Sequence, residues 1–267
     1  MKEKIWGAIL ILIISIPIFI IGGTLFNTFI YIISLLAMNE FLNIKEKKKN
    51  IPFFIKCICL ISLTFLIFSN VGGSLVYSID CRVLSGIFSL FLIPTVLYHD
   101  RLKYSVNDAF YLIGGVLFLG ISFSLILLIR NISINLLVYI FLIGICSDIY
   151  AYITGNLIGS RILLKDISPN KTIEGMLGGL LFGVFIPVVY YLTVIDPEYN
   201  IFCITFITMF LCILGIIGDL CFSAIKRYFE KKDFSKIIPG HGGILDRFDS
   251  IIFILLGVMF FIDIIGG

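Results

Sequence analysis

Charge is what this chain has least of: Asp, Glu, Lys and Arg together make only 14% of its 267 residues, against 60% hydrophobic residues. No polar stretch between its apolar runs is long enough to hold a soluble domain, and no low-complexity segment or internal repeat is visible. A globular domain built on a large core is therefore excluded, and a mean hydropathy of +1.12 places the chain among integral membrane proteins. Strictly alternating segments of about ten residues are missing too, which excludes a closed transmembrane barrel. The seven cysteines form an odd set without a CxxC or any Cys/His metal spacing, so they read as small packing residues, with neither disulfides nor structural zinc.

What the chain does have is nine apolar runs of the length, roughly 17 to 25 residues, that crosses a ~30 Å hydrocarbon core as a helix. They are Ile5–Ile21, Thr24–Leu42, Ile51–Ser69, Val83–Tyr98, Val106–Ile129, Ile132–Ile153, Gly175–Ile195, Ile201–Ala224 and Phe248–Ile265. Gly22 and Gly23 divide the first two. The first reads as a retained span, because Lys2, Lys4 and the apolar run are not followed by a small-x-small cleavage site. The expected fold is an all-α integral membrane protein of about nine transmembrane helices. Residues 1–267 form one membrane domain, with N-terminal helices in 1–145 and motif-bearing helices and loops in 146–267.

Lys and Arg near span ends are held on the cytoplasmic side. With the Asn43–Asn50 loop inside, 18 of the 20 Lys and Arg fall on that face and only Arg82 and Arg130 fall outside. The N-terminus is thus expected in the cytoplasm and the C-terminus outside. Such a basic face attracts anionic lipids and nucleotides alike. Lys45 to Lys49 read as cations that set topology, and Glu40, at the cytoplasmic end of the second run, reads as a carboxylate that is interfacial or faces a polar pocket, the interfacial reading being favoured.

The chemistry begins in the sixth run. Asp148 lies within it near the cytoplasmic end, where an ionisable group is costly and is a functional candidate by default. Asp148, Tyr152, Gly155 and Gly159 share one helical stripe, the two glycines also satisfying a small-xxx-small packing rule. In the next loop, Ser168 and Pro169 read as the N-cap and first residue of a helix with Lys171 and Thr172 in its first turn, a setting that favours a bound anion.

Polar residues then concentrate between Asp219 and Asp249. Asp219, Ser223, Lys226 and Arg227 fall on one face at the end of the eighth run, and Asp246 and Asp249, three apart, open the ninth. Four carboxylates, Asp148, Asp219, Asp246 and Asp249, can converge from three helices as the oxygen ligands that a hard cation such as Mg²⁺ needs.

Ser223 to Asp249, SAIKRYFEKKDFSKIIPGHGGILDRFD, resembles the C-terminal motif of the phosphatidate cytidylyltransferases, also called CDP-diacylglycerol synthases. Asp148, Ala151, Tyr152, Gly155 and Gly159, the segment SPNKTIEG from Ser168 to Gly175, and Gly218 with Asp219 are similar to that family as well. Before about residue 145 the resemblance rests on apolar spans and Glu40.

The resemblance implies a homodimer in the cell membrane, cytoplasmic if the source is bacterial. It makes CDP-diacylglycerol and pyrophosphate from CTP and phosphatidic acid, requires Mg²⁺, and has K⁺ as a candidate second ion; no nucleic acid is involved. On that footing Asp219 and Asp246 are the first metal ligands, with Asp148 and Asp249 as ligands or their support. Lys171, Lys226, Arg227 and Arg247 contact phosphates. Ser168, Thr172 and Ser223 add hydroxyls, and Tyr152 lines the substrate side. His241, between glycines, hydrogen-bonds phosphate or base, while Lys232 and Asp233 bind substrate or pair to shape the loop. Two other functions fit the same residues: a CTP-dependent transferase acting on another phospholipid or a polyprenol, and a cation-coupled transporter.

Overall fold

The computed structural model describes residues 15–68, 81–98, 100, 102–237 and 242–265. Helices dominate. In chain order they are α1 (Gly23–Glu46), α2 (Phe53–Phe68), α3 (Cys81–Leu97), α4 (Val106–Ile132), α5 (Ile134–Ile158), α6 (Ile173–Tyr190, continued by a π-helical turn Tyr191–Ile195), α7 (Ile201–Tyr228), α8 (Leu245–Val258) and α9 (Ile262–Ile265). Residues 15–21 are helical as well, and Gly22 and Gly23, at φ 69° and 61°, break them from α1.

Among the described residues, five helices are long and apolar enough to cross a membrane: α1, α4, α5, α6 with its π turn, and α7. Two more are shorter apolar helices, α2 with 16 residues and α3 with 17. Large apolar side chains cover the outside: Phe53 is 80% exposed and Phe202 84%. In water such a surface would be an aggregation liability, but lipid tails solvate it. The chain is a multi-pass helical membrane protein.

The described residues divide into two compact units, Met1–Leu128 with Asp233–Asp246, and Ile129–Lys232 with Arg247–Gly267. In the first unit, Tyr31 and Thr64 join α1 to α2 through their hydroxyls at 3.0 Å, and Phe41 stacks on Tyr111 of α4 at 4.7 Å between centroids. Lys45 and Lys49 do more than set topology. Both pair with Asp108, Lys45 at 2.7 Å, and the Lys45 ammonium also lies 4.3 Å from the centre of the Tyr111 ring. Asp108 also accepts from the Ser105 amide at 2.9 Å and hydroxyl at 2.7 Å, so the pair is hydrogen-bonded as well as charged.

Glu40 corrects its interfacial reading. It is fully buried and accepts from the Ser235 hydroxyl at 2.6 Å and from the amides of Ile244 and Leu245, each at 2.9 Å. Three donors on one carboxylate, each worth ~1.5–3 kcal/mol when the acceptor is charged, offset the several kcal/mol that burying the ion costs.

In the second unit, α5 and α6 run backbone against backbone. Ser147, Ala151 and Gly155 on α5 face Gly175, Gly179 and Gly183 on α6, each set repeating every four residues. A Cβ on Gly179 would stand 2.7 Å from the Ser147 carbonyl oxygen, and one on Gly175 2.7 Å from that of Ala151. The small-residue stripe on α5 thus has its partner in a second stripe on α6. Polar side chains in this bundle are paired: Tyr139 with Thr208 at 2.7 Å, and Tyr191 donating to the Ile265 carbonyl at 3.2 Å.

One local expectation is overturned. Ser168 does not begin a helix; Ser168–Thr172 is a strand (β2) paired antiparallel with Ile162–Leu164 (β1). The helix starts at Ile173, with Thr172 as its cap, the hydroxyl accepting from the Gly175 amide at 3.1 Å. Both Ser168 and Thr172 are good cap residues by type. Pairing with Ile162–Leu164 holds Ser168–Thr172 extended, so the later one caps. Glu174, in the first turn, accepts from the Ser160 hydroxyl at 2.8 Å and from the Ser160 and Arg161 amides at 3.1 and 3.2 Å, tying the end of α5 to the start of α6.

Candidate active site

A cavity of about 590 Å³ opens in the second unit between α5, the hairpin, the start of α6 and α7. Asp148 and Tyr152 of α5, Ser168, Lys171 and Thr172 of the hairpin, and Asp219 of α7 line it. The sequence places these residues in three separate segments, and the fold brings them together because Gly155 and Gly159 let Thr172 lie against α5. A Cβ on Gly155 would stand 3.1 Å from the Thr172 hydroxyl, and one on Gly159 2.7 Å from it.

One ion pair and two further carboxylates set the charge of this cavity. Lys171 is ion-paired with Asp219. Asp148, exposed toward the cavity, is within electrostatic reach of Asp219, Lys171 and Arg247, and accepts from Ser250 at 3.4 Å. Asp249 is buried, with Asp219, Asp148 and Lys226 as its charged neighbours. Three carboxylates in mutual reach repel one another, and the ammonium of Lys171 is the cation that relieves Asp219.

A hard divalent cation fits this donor set, since all three groups offer carboxylate oxygens. Among the described residues no three His, Cys, Asp or Glu side chains already stand at ligand spacing. Mg²⁺ does not demand such a cage, because it is bound by one or two carboxylates with water and substrate phosphates completing the shell.

The remaining candidates are not among the residues that line the cavity. Ser223 and Lys226 are buried on α7. Arg227 donates to the carbonyls of Ile167 at 3.2 Å and Lys231 at 2.8 Å, which fastens the hairpin turn and the end of α7. Arg247 and Lys232 are exposed in the second unit, and Asp233 is exposed in the first. Asp246 belongs to the first unit, where its carboxylate accepts from the Phe234 and Gly243 amides, each at 2.9 Å. His241 lies outside the described residues; its neighbour Gly242 has φ 85°, a conformation that favours glycine.

Two amide side chains that line the cavity, Asn156 and Asn170, were given no role by the sequence reading. Asn156 follows Asp148 and Tyr152 at the same four-residue step, a signal that extending the stripe by one turn would have found. Asn170 carries no such periodic signal, because it stands on the hairpin strand.

A lysine and two carboxylates lining one cavity, with the buried Asp249 within electrostatic reach, suit a polyphosphate bound with a metal ion. Residues 2–265 match the cytidylyltransferase family. The chain is 38% identical over 256 residues to the phosphatidate cytidylyltransferase of Staphylococcus haemolyticus, 37% to that of Staphylococcus epidermidis strain RP62A and 36% to that of Staphylococcus aureus strain COL. Each alignment covers 96% of both chains. Over nearly its whole length, cavity included, this chain belongs to the cytidylyltransferase family.

Proposed function

We infer that this chain transfers the cytidylyl group of CTP to phosphatidic acid, giving CDP-diacylglycerol and pyrophosphate. The observation that carries the inference is its similarity, over 96% of its length, to proteins named for phosphatidate cytidylyl transfer. The cavity between α5, the hairpin and α7 offers the chemistry that such a transfer requires.

In the reaction a lipid phosphate oxygen bonds to the α-phosphorus of CTP, and the bond between the α-phosphorus and the bridging oxygen breaks, releasing pyrophosphate. The second pKa of a phosphate monoester is ≈ 6, so phosphatidate is largely a dianion at neutral pH and needs no strong base. The difficulty is repulsion between two polyanions. Lys171 in the cavity, with Lys226, Arg227 and Arg247 outside its lining, would supply the cations that lower it. Lys171 exchanges Asp219 for a substrate phosphate as the nucleotide enters, while Thr172, Ser168 and Ser223 offer hydroxyls and Tyr152 borders the cavity.

In this reading Asp219 and Asp246 would each serve as an Mg²⁺ ligand, Asp148 and Asp249 would be further ligands or their support, and K⁺ would be the second ion. When bound, the metal neutralises phosphate charge at the reacting centre. Nine spans put the N-terminus in the cytoplasm and the C-terminus outside. The site then faces cytoplasmic CTP, and the enzyme works as a homodimer in the cytoplasmic membrane. The bias of Lys and Arg supports the orientation, and the bacterial relatives support the membrane assigned.

The test is a panel of acceptors. Purified protein in mixed micelles with CTP and Mg²⁺ is offered phosphatidic acid, other phospholipids or a polyprenol, and a CDP-lipid is expected with phosphatidic acid. No CDP-lipid with any acceptor, together with solute flux in sealed vesicles, would replace this reading by transport.

A further inference from the structure

Glu40 is a fully buried carboxylate that the transfer chemistry does not use. Its partners lie about two hundred residues away, and they belong to the two stems of one loop. One carboxylate oxygen accepts from the Ser235 hydroxyl at 2.6 Å and the Ile244 amide at 2.9 Å, and the other accepts from the Leu245 amide at 2.9 Å. Asp246 completes the arrangement with its own bonds to the Phe234 and Gly243 amides. The two acids thus interleave: Asp246 takes residues 234 and 243, and Glu40 takes 235, 244 and 245.

Gly243 leaves the room for this. A Cβ there would stand 2.6 and 2.7 Å from the two Glu40 oxygens. A carboxylate also suits the start of α8, whose first amides lack helical partners and carry partial positive charge.

We propose that Glu40 is a positioning residue for cytidylyl transfer: it clasps Ser235 to Ile244 and Leu245, and so fixes where the Asp246 carboxylate stands. The proposal rests on the reading that the chain is a cytidylyltransferase with Asp246 in its site. Asp246 follows the two clasped amides directly, so a shift of the stem at Leu245 moves it. Misplacement by about 1 Å is enough to cost on the order of 100-fold in rate.

Glu40→Gln tests the clasp with little change in volume. Glutamine has one acceptor oxygen and sets an NH₂ against an N–H or O–H in place of the other, so at least one of the three bonds is lost. Two quantities are measured on purified protein: amide hydrogen exchange without substrate, and kcat and KM for CTP at saturating phosphatidic acid. Exchange at Leu245 or Ile244 should rise about tenfold, the equivalent of one lost hydrogen bond, while exchange along α5 stays as in the wild type. Turnover should fall about 30-fold with KM for CTP within about threefold, because the acid is misplaced rather than the nucleotide excluded.

Ser235→Ala removes one bond of three and keeps the proposal testable if Glu40→Gln does not fold. It should lower kcat about threefold without changing α5 exchange. Wild-type turnover in Glu40→Gln would overturn the proposal, as would unchanged exchange at both Ile244 and Leu245. A fall in kcat accompanied by faster exchange throughout α5 would also overturn it, by showing general loosening. Wild-type protein that makes no CDP-lipid would overturn the activity on which the proposal rests. That outcome is distinguishable, because exchange at Leu245 is read without substrate.

Discussion

Lys171 and Asp219 are ion-paired across 48 residues of sequence, one at the end of a short hairpin and the other within a membrane helix. The pair means that the cavity holds its own counter-ion before any substrate arrives. Under the proposed function, a phosphate entering the cavity would compete with Asp219 for that ammonium, and a metal ion would compete with the ammonium for Asp219.

Lys171→Met should therefore lower kcat/KM for CTP by about 100-fold, the scale of removing one preorganised charge from a phosphoryl site. Steady-state kinetics with varied CTP check this. An effect below about threefold would place Lys171 outside the reaction.

Asp219→Asn should abolish measurable turnover while leaving detergent elution and helix content as in the wild type. Stripping divalent ions with a chelator should do the same to the unmodified enzyme, and adding Mg²⁺ back should restore it. Near-normal Mg²⁺-dependent activity in Asp219→Asn would remove Asp219 as a ligand.

Gly179→Val tests the contact between α5 and α6. Its Cβ would meet the Ser147 carbonyl at 2.7 Å and the Ala151 Cβ at 2.9 Å, neither of which can swing away. Overpacking of this kind costs about 1–3 kcal/mol. The melting temperature in detergent should fall, and the cavity residues on the two helices should lose activity with it.

Asp108→Asn leaves Lys45 and Lys49 together without their shared carboxylate. Lys45 is buried, so the loss should approach the ~3–5 kcal/mol of breaking a buried pair. Thermal unfolding of the purified variant reads it, and Lys45→Met in the same background should recover part of the loss.

The sequence already carried much of this. Apolar runs marked the helices closely: the run Ile201–Ala224 became Ile201–Tyr228, and Val106–Ile129 became Val106–Ile132. Length and hydropathy decide such elements locally, which is why they could be read. The hairpin could not, because Ser168 and Thr172 are equally good caps and only pairing with Ile162–Leu164 selects between them. Asp148 was legible as a charge where charge is costly, Lys171 as a cation where an anion is favoured, and Asp219 as an acid on a polar helix face. That Lys171 pairs with Asp219 was not, since no local pattern encodes a contact between a hairpin and a distant helix. Glu40 shows the same limit more strongly: its position suggested an interface, and its burial depends on amides about two hundred residues onward.

The most direct test of the central claim follows the phosphorus atoms of CTP. Purified enzyme with phosphatidic acid and Mg²⁺ is given CTP labelled at the α-phosphorus or, separately, at the γ-phosphorus. The α label should enter the lipid fraction as CDP-diacylglycerol, and the γ label should leave as pyrophosphate in equal amount. Label entering lipid from the γ position, or no transfer of the α label to lipid, would contradict cytidylyl transfer as the function of this chain.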